Sequence, residues 1–182
     1  MIRSVGFYGV MTAASLLLAV VALAFGRDGD SSAQEKPSSG RMPSLPAQPY
    51  VVATAQTIDA AAKELHAANK LQDLINAANV GCRVYVQHEA DVATNQAEVH
   101  DAADDVFIIL DGTAIFILGG MLDAPRETQP GEWRAPGISA GKEIRVNKGD
   151  VIIVPRGTPH RRVTSGMDVT LMLIKSSTPA KN

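Results

Sequence analysis

Gly149-Asp150-Val151-Ile152-Ile153-Val154-Pro155-Arg156-Gly157-Thr158-Pro159-His160 contains a strand, a turn and a chemically active side chain in twelve positions. Val151–Val154 is a β-branched run between Gly149 and Pro155, the pattern of a strand with at least one buried face. Pro155 ends it, because a fixed φ and a missing amide donor cannot continue a ladder, and Gly157 supplies the positive φ of a tight turn. The chain is expected to reverse there into a second strand over 158–163. Side chains alternate in a strand, so Thr158, His160 and Arg162 share one face and Arg161 and Val163 the other. An imidazole and a guanidinium then point the same way.

Upstream, Gln96-Ala97-Glu98-Val99-His100 reads as another strand, in which Glu98 and His100 lie two apart on one face. Val106-Phe107-Ile108-Ile109-Leu110 follows, then Asp111-Gly112 and a second apolar run over 113–118. Asp-Gly between two apolar β runs is a strong hairpin signal. Asp105, Phe107 and Ile109 share a face of the first run, which brings Asp105 towards Glu98 and His100.

These residues resemble the two sequence motifs of the cupin superfamily, small barrels of the double-sheet jelly-roll type. The second motif is Gly, five residues, Pro, one, Gly, two, His, three, Asn; Gly149, Pro155, Gly157 and His160 fall in register, with Thr164 at the Asn position. The first is His-x-His, three or four residues, Glu, six residues, Gly. His100 and Gly112 match it, while Glu98 stands at the first histidine and Asp105 at the glutamate. The resemblance covers residues 83–175 and implies an all-β, double-stranded β-helix barrel.

It also implies a metal-ligand set of Glu98, His100, Asp105 and His160. Two histidines with carboxylates suit Fe(II), Mn(II), Zn(II) or Ni(II), and a two-His-one-carboxylate set with open positions is the oxygen-activating arrangement at non-haem Fe(II). Asp105 is one methylene shorter than glutamate, about 1.5 Å of reach, so it either ligates or supports a ligand from behind. Val84, Val86 and His88 share a strand face, and an inward His88 would add a third imidazole. Arg162 is either a clamp for a substrate anion or half of a rim salt bridge. Glu98 is either a ligand or an acid/base group, since burial raises a carboxyl pKa unless a cation is near.

The chain has 182 residues, 46% of them hydrophobic, enough for one barrel core over about 130 residues. A formal charge of -2 and a pI near 6.1, with no basic run, argue against nucleic acid, which requires a positive footprint. Partners are therefore expected to be a small-molecule ligand and a second copy of the chain, as a homodimer. The single cysteine, Cys82, excludes an internal disulfide, and the absence of any Cys-x-x-Cys pair excludes a thiolate zinc site.

Arg3 precedes an apolar stretch over 5–25 that ends in Ala22-Leu23-Ala24, an A-x-A-like cleavage sequence. Residues 1–25 are read as a secretory signal peptide, which makes the mature protein periplasmic or secreted. About 21 residues at 1.5 Å each also give roughly 30 Å, the length of a membrane anchor, and membrane association follows only if the segment stays uncleaved. Residues 26–50 are Gly-, Ser- and Pro-rich and expected to be a disordered linker. Thr57 or Asp59 can cap a helix through 60–65, and Leu71, Leu74 and Ile75 suggest a second turn, so 51–80 reads as a helical leader packed outside the barrel.

The barrel itself is assigned to 81–176 and a disordered tail to 177–182. Residues 119–141 form a long connection with three prolines and the only tryptophan, Trp133, and a connection of that length within a compact domain suggests a lid. Trp133 lines a cavity, contacts a second copy or packs the loop on the barrel. Two functional readings follow. One is an exported enzyme whose metal acts as a Lewis acid or oxygen-binding centre on a small oxygenated organic molecule, with oxygenase, isomerase and lyase chemistry all open. The other is a non-catalytic barrel that binds a small carboxylate or sugar.

Overall fold

The computed structural model describes residues 50–66, 69–77, 81–93 and 95–177. The apolar N-terminal stretch, its cleavage sequence, residues 26–49 and residues 178–182 lie outside the described residues. In chain order the elements are α1 (Ala55–Leu65), β1 (Lys70–Ala77), β2 (Cys82–Ala90), β3 (Ala97–His100), β4 (Ala103–Leu118), β5 (Met121–Leu122) and β6 (Arg126–Gln129). They continue with β7 (Glu132–Ala135), β8 (Ile138–Ser139), β9 (Lys142–Asn147), β10 (Val151–Val154), β11 (His160–Val163) and β12 (Asp168–Ser177).

One layer runs β1, β2, β12, the first half of β4, then β10; the other runs β9, the second half of β4, β11, β3, β7, then β6. Strand β4 belongs to both. This overturns the expected hairpin at Asp111-Gly112, because the chain passes straight through as one 16-residue strand. The register with β12 shifts between Thr170 and Leu171, whose partners are Asp111 and Ile109, so Leu110 is the extra residue of a bulge. Gly112 has φ +77°, and a Cβ there would sit 2.2 Å from the carbonyl oxygen of Asp168. A hairpin and a bulge both demand a glycine at positive φ. Here it turns one strand from the first layer into the second.

Inward positions alternate along each strand and interdigitate between the layers. Phe107, Ile109, Ala114, Phe116, Val146, Val154, Val169, Leu171 and Leu173 form one buried cluster. Phe107 meets Phe116 edge to face at 5.0 Å between ring centroids, the preferred geometry of an aromatic pair. Outside the first layer, Ala61 and Leu65 of α1 pack on Val86, flanked by Ile58, Leu74 and Leu110. The helix starts at Thr54, whose hydroxyl accepts from the Thr57 amide at 3.2 Å, earlier than the caps expected at Thr57 or Asp59.

Two further expectations are corrected. Only 55–65 of the supposed helical leader is helix; residues 70–77 form β1, paired antiparallel with β2. Pairing with β2 overrides the good helix propensity of Leu, Gln and Ala, which is only a weak prior against tertiary context. Residues 119–141, expected as one long connection, carry strands of their own, since β6 and β7 form a hairpin and β7 adds to β3. Ser177, assigned to a tail, is the last residue of β12, and its amide donates to the carbonyl of Gly81 at 2.7 Å.

Candidate metal centre

Strands β3, β4 and β11 bring Glu98, His100, Asp105 and His160 together, with one ligand atom from each lying within 4.8 Å of all the others. Ladder register explains the convergence. His160 is the cross-strand partner of Glu98, Glu98 of Arg134, His100 of Glu132, and Asp105 of Lys175. Residues directly opposite in a sheet project from the same face.

The imidazoles are held from behind. His100 Nδ1 lies 2.7 Å from Glu132 Oε2, and His160 Nδ1 lies 3.0 Å from the carbonyl oxygen of Thr158. Each acceptor assigns the proton to Nδ1 and turns the Nε2 lone pair inward, the orientation that ligating histidines adopt. Both residues are 3% exposed, and neither Nε2 has a hydrogen-bond partner. Buried nitrogens without a partner are rare and require an explanation.

A metal ion supplies one. Four donors each about 2.1 Å from a common centre form a tetrahedron with edges of about 3.4 Å. The separations here are 3.3 Å for His100 Nε2 to Asp105 Oδ2, 3.3 Å for His160 Nε2 to Glu98 Oε1, 3.5 Å for His160 Nε2 to Asp105 Oδ2 and 3.8 Å for His100 Nε2 to Glu98 Oε2. Glu98 approaches the two imidazoles through different oxygens, and with one atom from each residue the donors lie within 4.8 Å of one another, so the set suits a divalent cation in chemistry and closes on it with a small movement of Glu98.

Two cations back the carboxylates. Lys175 Nζ is 3.1 Å from Asp105 Oδ1, and Arg134 reaches Glu98 Oε2 at 3.1 Å and Glu132 Oε2 at 3.6 Å. Burial opposes ionisation of Glu98, but His160, Arg134 and His100 outweigh it and hold its carboxyl at about 2. Asp105 is likewise depressed, burial being overcome by His100, His160 and Lys175. For His160 burial favours the neutral ring, yet Asp105 and Glu98 raise the imidazole to about 9. Without a metal, this site holds a proton on His160.

Two cavities meet at the centre. One, of about 270 Å³, is lined by Tyr85, Gln87, Phe107, His160 and Arg162, and the other, of about 330 Å³, by Arg83, Thr128, His100, Arg134 and Lys175; Glu98 and Tyr85 border both. Burial, with Asp105 and Glu98 nearby, raises the Tyr85 phenol to about 12, so Tyr85 keeps its proton at neutral pH.

Other sequence expectations fall elsewhere. His88 does not join the centre: it is on the opposite face of β2 from Tyr85, where its Nδ1 meets Thr170 Oγ1 at 2.9 Å. The phase of a strand relative to the barrel axis is not written in its alternation. Arg162 sits in the cavity wall, ion-paired with Glu89 and about 6 Å from the Phe107 and Phe116 rings, so it is a buried pair and not a rim one. Trp133 donates through Nε1 to Asp101 at 2.9 Å, bracing β7 against the turn after β3. Thr164, at the usual Asn position, is fully buried and accepts from the Val92 amide at 3.0 Å. The sequence reading missed Glu132, Arg134 and Lys175. Glu132 and Arg134 repeat the two-residue spacing of Glu98 and His100, which was a usable signal; Lys175 had none.

No family model matches the chain, and no curated protein matches it. Among solved structures, a cupin protein from Bacteroides fragilis is 14% identical over 63% of this chain and 81% of its own, with a TM-score of 0.43. The DMSP lyase DddQ from Ruegeria pomeroyi DSS-3 is 17% identical over 62% of this chain and 49% of its own, with a TM-score of 0.45. KdgF from Halomonas sp. is 14% identical over 60% of this chain and 79% of its own, with a TM-score of 0.44. This chain thus spans about half the length of the lyase. Two stacked antiparallel layers that share β4, with His100, Gly112, Gly149, Pro155, Gly157 and His160 in motif register, make this a protein of the cupin fold.

Proposed function

We propose that the barrel holds one divalent metal ion on Glu98, His100, Asp105 and His160 and uses it to act on a small oxygenated organic molecule. The observation that carries this reading is the pair of buried, inward-facing Nε2 atoms of His100 and His160, which make no hydrogen bond and face the Asp105 and Glu98 carboxylates at 3.3 to 3.8 Å. A bound ion of this kind supplies Lewis acidity to a substrate oxygen. Fe(II), Mn(II), Zn(II) and Ni(II) all suit two imidazoles with carboxylates. The remaining work falls to the protein's own side chains. Glu132 and the Thr158 carbonyl aim the imidazoles, and Tyr85 offers an O–H donor at the junction of the two cavities. The second cavity is lined by Arg83, Arg134 and Lys175 together with Glu98 and Glu132, a polar wall of paired charges that suits an oxygenated molecule. A cavity of about 270 Å³ lies just below the span of drug-sized ligand sites, about 300–1,000 Å³, which supports a small substrate.

A specific observation favours a second reading. Lys175 and Arg134 already neutralise Asp105 and Glu98, and with a proton on His160 the centre is electrostatically satisfied without metal. Such a barrel binds a small carboxylate or sugar without chemistry. Elemental analysis of the purified protein distinguishes the two, beside His100→Ala and His160→Ala. One equivalent of metal lost in both variants, relative to the parent, supports the enzyme reading; a metal content equal to the parent's in both removes the proposed site; a metal-free parent that still binds ligand supports the binder.

Export and a homodimeric state complete the proposal. The Ala22-Leu23-Ala24 sequence after an apolar stretch supports export, and N-terminal sequencing of exported protein is expected to begin at or near Phe25. An intact Met1 on membrane-bound protein would instead identify an anchor. Sedimentation of the purified protein tests the dimer.

A further inference from the structure

Outside the barrel, on the face of the first layer covered by α1, three potential ligands come together from three elements. His66 is the residue that caps the C-terminal end of α1, His88 lies on β2, and Asp168 opens β12. One ligand atom from each lies within 4.8 Å of the other two. The His66 and His88 rings are 4.8 Å apart and tilted by 31°.

His88 is built as a ligand is built. It is 2% exposed, and its Nδ1 is tied to the hydroxyl of Thr170, itself 2% exposed, at 2.9 Å. That bond fixes the ring and leaves Nε2 as the free coordinating atom, the arrangement found behind metal-bound imidazoles. The end of a helix adds a further term, since its unpaired carbonyls carry partial negative charge and favour a cation. Asp111 Oδ2 lies 3.9 Å from His66 Nε2 and is itself paired with Lys148 at 3.3 Å, and Lys63 borders the adjacent cavity. The surroundings of the cluster are therefore mixed in charge.

We propose that His66, His88 and Asp168 form a second divalent-metal site, separate from the barrel centre, that pins the C-terminal end of α1 to the outer face of the sheet. Two imidazoles and a carboxylate suit Zn(II) or Cu(II). Binding draws the three donors, which lie within 4.8 Å of one another, towards the roughly 3.4 Å of a tetrahedral edge. His66 and Asp168 are exposed and carry that movement, while His88 stays in place. Helix α1 otherwise rests on a small apolar patch around Ala61, Leu65 and Val86, so a bound ion converts a light contact into a fixed one. This reading does not depend on the proposed function of the barrel.

Equilibrium dialysis with Zn(II), together with amide hydrogen exchange over 55–65, tests it. The His100→Ala/His160→Ala protein, which lacks the barrel centre, is expected to keep one equivalent of zinc. Adding His66→Ala, an exposed change that leaves the core intact, is expected to weaken that equivalent at least about tenfold. Zinc is expected to slow exchange in α1 only while His66 is present. In the otherwise unaltered protein, His66→Ala and Asp168→Asn are each expected to remove one equivalent, a measurement that needs no change in the barrel. Zinc stoichiometry and affinity unchanged by both single substitutions would overturn the proposal. So would α1 exchange that ignores zinc. An empty barrel centre would show instead as a single equivalent that depends wholly on His66.

Discussion

Replacing the proton on His160 by a metal ion has a size that the structure sets. Asp105 and Glu98 hold the metal-free imidazole at about 9, so at pH 7 about 99% of the protein carries that proton. Zinc must displace it from Nε2, which lowers the apparent affinity at pH 7 by about a hundredfold, or about 3 kcal/mol, relative to pH above 9. Glu98 at about 2 and the depressed Asp105 are already ionised and release nothing. Calorimetric titration of zinc into metal-free His66→Ala protein, in buffers of different ionisation enthalpy, counts the protons. His160→Gln is expected to release about one proton fewer than its parent at pH 7, and the parent's log affinity to rise faster with pH up to about 9. Equal proton release by the two proteins would refute the argument that these carboxylates set the state of His160. The same raised pKa gives the metal-free fold a pH dependence. Since the ordinary value is 6.5, the folded protein binds the extra proton between about 6.5 and 9. The stabilisation is complete below 6.5 and lost as pH rises through 9, a span of about 3 kcal/mol.

Glu132→Ala is expected to free His100 Nδ1 and weaken metal binding about 10–100-fold, whereas Glu132→Gln, which still accepts a hydrogen bond, retains most of the affinity by dialysis. Gly149 and Gly112 both have positive φ, but only a Cβ at Gly112 meets backbone. Gly149→Ala is therefore expected to cost about 1–2 kcal/mol in urea unfolding, and Gly112→Ala clearly more; equal losses would contradict the bulge. Thr164→Val leaves the half-buried Val92 amide without its acceptor and is expected to cost about 1 kcal/mol, with Thr164→Ser recovering most of it in the same assay.

The second motif was legible because its meaning is local. A β run, Pro155 and Gly157 dictate backbone geometry within a few residues, and His160 follows at fixed distance. Asp111-Gly112 shows the limit of that reasoning, since positive φ at Gly112 serves a hairpin or a bulge equally and only the partner strand decides. Residues 70–77 show another, because β1 owes its form to β2 and not to its own composition. Alternation puts His88 on one face with Val84 and Val86, but only the packing of α1 on Val86 shows that this face is the outer one. The four central ligands could be named from spacing, yet the groups that set their charge and aim could not. Glu132 faces His100, and Lys175 faces Asp105, only because distant strands pair in one register.

Strand β12 lies between β2 and β4, although every other described strand precedes it in sequence. Its pairings reach back from Ser177 to Ala103 and from Ser176 to Cys82. Until it is synthesised, the inner edges of β2 and β4 stay open, and such long-range pairing is slow to form. The order of assembly follows from the topology: Lys175 takes its place opposite Asp105 in the same step that seals the barrel. The proposed donor set is thus complete, with its charges balanced, only once the last strand is in.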